Sequence, residues 1–103
     1  MNILETLLLG RRGGATSIKI IDVLLVTPCN ISQIAKIINI NYSTAQYHVT
    51  LLLENNILKK DSDRYGALYA PTSYLTKNIN IYNDIKKELE KRENIIREAG
   101  NYE

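Results

Sequence analysis

Asn30-Ile31-Ser32-Gln33-Ile34-Ala35-Lys36-Ile37-Ile38-Asn39-Ile40-Asn41-Tyr42-Ser43-Thr44-Ala45-Gln46-Tyr47-His48-Val49, continuing through Leu52 to Asn56, is the stretch that decides the fold. It encodes two helices and a tight turn. Asn30 followed by Gln33 is a capping-box start, and Ile31, Ile34, Ala35 and Ile38 follow at helical spacing. Ala35 is the small residue required where the two helix backbones cross. Asn39 tolerates left-handed backbone better than most residues, and Ile40 is an apolar plug for the turn. Asn41 caps a second helix running from Tyr42 to about Asn55, with Ala45, Val49, Leu52 and Leu53 on its inner face. Asn55 and Asn56 end it with residues that accept the left-handed turn. All these features fall at the spacing of a helix-turn-helix.

Working outward, the segment before the motif predicts two further helices. The apolar run Asn2 to Leu9 forms the first, and Gly10-Arg11-Arg12-Gly13-Gly14 breaks it. That glycine-rich break reads as a flexible connector, with a contact to a nucleic-acid backbone as the alternative. Thr16 is the expected N-cap of a second helix reaching Thr27, stopped by Pro28. Its stripe of Ile18, Ile21 and Leu25, widened by Ile20, Val23 and Leu24, marks a central core helix.

After the motif, Ile57 to Lys60 and Ala67 to Ala70 read as short strands around the polar loop Asp61 to Gly66, a β-hairpin over residues 57–70. Pro71 ends the second strand. From about Asn78 to Ala99 a long charged helix carries a narrow seam, Tyr82, Ile85, Leu89 and Ile96, with Arg92 in the missing heptad place. Such a seam folds back on its own domain or pairs with a partner helix. A helix of about 20 residues outruns so small a core, which favours pairing. The expected class is mostly α with a small β-hairpin: residues 1–74 as one domain, residues 75–103 as a dimerisation helix.

Composition excludes several functions. The chain has 103 residues, 13 Lys plus Arg against 11 Asp plus Glu, one Cys, one His and no Trp. That length supports one core. One His and one Cys do not make a zinc site within one chain, and no metal or cofactor is expected. No apolar run approaches the roughly 20 residues that cross a bilayer, so no membrane partner is expected. Met1 to Glu5 lacks the basic region of a signal peptide, and a cytoplasmic, nucleoid-associated location is expected. There is no nucleophile–base pair or paired carboxylate, so an enzyme is not expected. His48 is read as a packed, hydrogen-bonding residue and Cys29 as an inert core residue.

Gln33-Ile34-Ala35-Lys36 … Asn41-Tyr42-Ser43-Thr44-Ala45-Gln46-Tyr47-His48-Val49, with Leu52 … Asn56-Ile57-Leu58, resembles winged helix-turn-helix transcription regulators of the ArsR-like type. Gly13-Gly14-Ala15-Thr16 is similar to a sequence found before the first core helix in small archaeal members, and the hairpin from Leu58 to Tyr69 falls at the family's wing. The resemblance covers about Arg11 to Tyr74. It implies a homodimer that binds double-stranded DNA, with the second motif helix in the major groove and the wing on the backbone or minor groove. It puts Tyr42, Ser43, Thr44, Gln46 and Tyr47 on the groove-facing side. Gln46 suits adenine, Thr44 a thymine methyl or a phosphate, Ser43 either, and the two tyrosines phosphates. Arg64 at the hairpin tip suits the minor groove, and Arg11, Arg12, Lys36, Lys59 and Lys60 suit phosphates. Metal sensors of this type use a cysteine pair that this chain lacks.

Between Asn41 and Leu58 there is no Lys or Arg, and Glu54 is the only charge. Guanine reading by arginine is therefore not available from this helix itself. The site is then A·T-rich and read through Gln46, or else the module binds protein through an apolar stripe formed by Tyr47 and Leu51.

Overall fold

The computed structural model describes residues 2–100 as six helices and a two-stranded hairpin. The motif is α3 (Ile31–Ile38) and α4 (Tyr42–Glu54). Asn30 and Gln33 close a reciprocal capping box, the Gln33 amide donating to the Asn30 side chain at 2.9 Å and the Asn30 amide to Gln33 Oε1 at 2.8 Å. Asn39 ends α3 in the left-handed region, at φ 58° and ψ 53°. The Ile40 amide then turns back to the Ala35 carbonyl, and Asn41 caps α4 by accepting from the Thr44 amide at 2.8 Å. Asn56, at φ 59°, ends α4. The turn chemistry read from the sequence is therefore the chemistry that forms.

Ahead of the motif lie α1 (Ile3–Leu8) and α2 (Gly14–Val26). Thr16 is not the cap of α2; Gly13 is, with no side-chain bond, and the helix begins three residues earlier than expected. The glycines explain the shift. A Cβ on Gly13 would stand 2.5 Å from His48 Cε1, and one on Gly14 would collide with the Leu8 carbonyl. The segment Gly10 to Gly14 is thus a close-packed junction and not a flexible connector. Its glycines allow the backbones to approach.

Leu58–Lys60 (β1) and Tyr69–Pro71 (β2) pair antiparallel, with Lys59 opposite Ala70. Cys29 adds a short third rung by exchanging two backbone hydrogen bonds with Tyr69. That rung ties the hairpin to the α2–α3 junction and buries Cys29, consistent with a packing role. A short helix that the sequence reading lacked, α5 (Ser73–Lys77), is capped by Thr72, whose hydroxyl donates to the Asn56 carbonyl at 2.7 Å. The long α6 (Ile79–Gly100) follows.

One core joins these parts: Leu4 and Leu8 of α1, Ile20, Ile21 and Leu24 of α2, Ile34 of α3, Val49 and Leu52 of α4, and Leu75, Tyr82 and Ile85 beyond the hairpin. The C-terminal segment is therefore part of the same core for its first turns. Tyr82 is fully buried, and its hydroxyl donates to Asp22 at 2.7 Å while Lys86 pairs with the same carboxylate at 2.9 Å. Burial, then the hydrogen bond and charge of Asp22, push the Tyr82 phenol far above its ordinary pKa. Leu89 is half-buried, and α6 is exposed from Glu90 onward. Helix-turn-helix, hairpin and flanking helices together make a winged helix-turn-helix with a long C-terminal helix.

Candidate nucleic-acid interface

The outward side of α4 is set by its inward one. Ala45, His48, Val49 and Leu52 face the core, so at 3.6 residues per turn the opposite side carries Ser43, Gln46, Tyr47 and Thr50, all exposed. Thr50 was absent from the sequence reading; it lies one turn beyond Gln46 and completes the row. Thr44 is half-buried beside this face rather than on it. The Ser43 hydroxyl donates to Asn41 Oδ1 at 2.9 Å, sharing the cap acceptor with the Thr44 amide. Gln46 carries the one fully polar, uncommitted amide on this surface. Leu51, expected on an outer apolar stripe with Tyr47, packs partly against the core.

Tyr42, at the start of α4, leans toward the wing. Its ring stacks on Tyr65 of the hairpin loop with centroids 6.5 Å apart, a separation at the wide end of aromatic pairing. Partial desolvation of the exposed Tyr42, and then the neighbouring Tyr65, raise the Tyr42 phenol pKa. Arg64 is adjacent and exposed, and Gly66 turns the loop at φ 83°. Between wing and helix lies a cleft of about 200 Å³ bordered by Tyr42, Gln46, Arg64, Tyr65 and Tyr69. The tyrosine pair is thus one contact between the wing tip and the start of α4.

The cations lie on or next to elements that pack beside α4. Lys36 is in the last turn of α3, Lys59 and Lys60 are on β1, and Arg12 is at the α1–α2 junction; all four are exposed. Lys60 pairs with Asp63 at 3.1 Å, an exposed pair of small energetic weight. Arg11 behaves differently. Its Nη2 donates to the Tyr47 hydroxyl at 2.8 Å, a contact across 36 residues of sequence that no periodicity signals. Behind it, His48 is buried, with Nδ1 3.2 Å from Ser17 Oγ and its ring edge-on to Tyr47. Burial, and then the Arg11 charge, lower the His48 pKa.

Of the residues read as a dimer seam, the structure assigns Tyr82 and Ile85 to the chain's own core. Their spacing on α6 matches α1, α2 and α5 as well as it would match a second helix. Leu89 borders the core, and Ile96 is 71% exposed, beside Ile95 at 57%. Among the described residues no group of His, Cys, Asp or Glu stands close enough to hold a metal ion. No described helix is long and apolar enough to cross a membrane.

The arrangement defines a class: a winged helix-turn-helix whose second motif helix and wing border one cleft. Among solved structures the chain is similar to a MarR family transcriptional regulator from Silicibacter pomeroyi, with a TM-score of 0.58 and 18% identity over 96% of this chain and 76% of that one. At that identity the likeness establishes the shared fold. No protein-family model matches the sequence, and no curated protein matches it.

Proposed function

We propose that the chain is a sequence-specific, double-stranded DNA-binding transcription regulator that acts as a homodimer. The observation that carries this reading is the cleft that the exposed side of α4 at Gln46 shares with the wing tip at Arg64; in this reading Lys36, Lys59, Lys60, Arg11 and Arg12 contact phosphates. A helix of this width enters the major groove. A hairpin tip beside it, in contact through the Tyr42–Tyr65 stack, reaches the backbone or minor groove. The winged-helix likeness to a transcriptional regulator supports the same reading and favours a binding protein over an enzyme. The Gly13-Gly14-Ala15-Thr16 segment and the α4 sequence carry the finer, ArsR-like resemblance.

Self-association rests on α6. Its last turns extend beyond the core with Ile95 and Ile96 exposed on a helix otherwise rich in Lys and Glu. Two such helices bury these side chains against each other. A protein–protein module is the alternative, and the exposed Tyr47 is the feature that favours it.

Duplex affinity measured against salt separates the two. Each phosphate contact contributes about 0.9 to the slope of log affinity on log salt, so a dimer with several contacts shows a steep fall. No duplex binding at low salt would refute the regulator reading.

A further inference from the structure

The face of α4 has no cation of its own, yet it is not without one. Arg11 leaves the α1–α2 junction and donates to the Tyr47 hydroxyl at 2.8 Å. The junction cannot drift, because Gly13 is seated against His48 and Gly14 against the Leu8 carbonyl. Among the described residues Arg11 has no ion-pair partner, whereas Lys60, Lys86 and Arg92 each pair with a carboxylate. Its partner is a neutral hydroxyl, so its charge is undiminished. Its guanidinium has five N–H donors, and Nη1 is enclosed without an acceptor. The exposed contact with Tyr47 leaves the guanidinium with donors to spare, and a phosphate arriving there adds a charge-assisted bond.

We infer that Arg11 is the cation of the reading helix, gripping a DNA phosphate at the edge of the groove that α4 enters, and that Tyr47 is a positioning residue that aims Arg11 and not itself a phosphate contact. This rests on the DNA-binding reading above, keeps Arg11 on a phosphate and reassigns Tyr47 from phosphate contact to positioning. The junction, 36 residues away in sequence, then supplies the charge that α4 lacks.

The test compares salt dependence of duplex binding for the wild type, Arg11→Ala, Arg11→Lys, Tyr47→Phe and the double variant Arg11→Ala/Tyr47→Phe, with a thermal melt of each as a folding control. Arg11→Ala is expected to lower the slope by about 0.9 per protomer, and Arg11→Lys to restore most of it. Tyr47→Phe keeps the ring and removes only the hydroxyl. It is expected to weaken all duplexes alike, and to add nothing in the Arg11→Ala background. If wild type binds but Arg11→Ala leaves the slope unchanged, the inference is overturned and the DNA-binding reading stands. A change in preference among sequences on Tyr47→Phe overturns the positioning role. Absence of wild-type binding overturns both.

Discussion

The α4 and α6 helices both lie against the core, and they differ in where their buried faces stop. The inner face of α4 runs from Ala45 through His48 and Val49 to Leu52, so the whole helix is held and its outer face is presented rigidly. In α6 the buried face ends at Ile85, with Leu89 at the margin, while the helix continues to Gly100. A helix held along its length suits presentation of side chains at fixed positions. One held only at its base has apolar side chains still to cover.

Truncations on the inner faces break the comparison most directly. Leu52→Ala removes a fully buried side chain from α4 and is expected to cost about 2–5 kcal/mol; Tyr82→Ala on α6 is expected to cost about 3–5 kcal/mol. Ile96→Ala, far along the same seam, is expected to change stability by under about 0.5 kcal/mol. Urea denaturation measures all three. A cost at Ile96 equal to that at Tyr82 in a dilute, monomeric sample would show that the distal half of α6 packs on its own chain.

Self-association tests the outer half of α6. Ile96→Glu removes two apolar side chains per dimer, each contributing roughly 1.5–3 kcal/mol when buried, so association is expected to weaken by at least about a hundredfold. Sedimentation equilibrium reads the change. Ile96 is the better position than Leu89, because a charge at Leu89 would also disturb the core. A wild type that stays monomeric at high concentration would refute the dimer.

These positions also show what the sequence can carry. The helix-turn-helix was legible because each signal is local: Asn30 meets Gln33, Asn39 takes the left-handed turn, and Asn41 caps the next helix. The hairpin was legible for the same reason. The α6 seam was legible as a stripe but not in its partner, since burial on α1 and α2 or on a second helix selects the same residues at the same spacing. Arg11 on Tyr47, Cys29 beside Tyr69 and Gly13 against His48 join distant segments. No periodicity encodes such contacts.

On the outer face of α4, Gln46→Ala is expected to reduce discrimination at one base pair by about 1–3 kcal/mol, read by competition between duplexes that differ at one position. Overall affinity for unrelated duplexes should change little. A uniform loss across sequences would move Gln46 from base reading to backbone contact.

The smallest effect separates the helices by their titration, because the only histidine of the chain lies on α4. Arg11 at the α1–α2 junction, Ser17 on α2 and Tyr47 on α4 surround His48. Burial and the Arg11 charge hold its pKa below the ordinary value, so the unfolded chain binds a proton more readily than the folded one. Stability is therefore full above the unfolded value of about 6.5 and declines as pH falls from there through the folded value. Ser17 Oγ accepts from a protonated ring as readily as it donates to a neutral one, so the loss arises from charge burial beside Arg11. Thermal melts between about pH 7.5 and pH 5 isolate this step, since most carboxylates titrate lower. Arg11→Ala is expected to flatten the decline by removing one of its two causes, and His48→Gln to abolish it. A decline of unchanged size in His48→Gln would place the titrating group elsewhere and leave α4 and α6 alike in this respect.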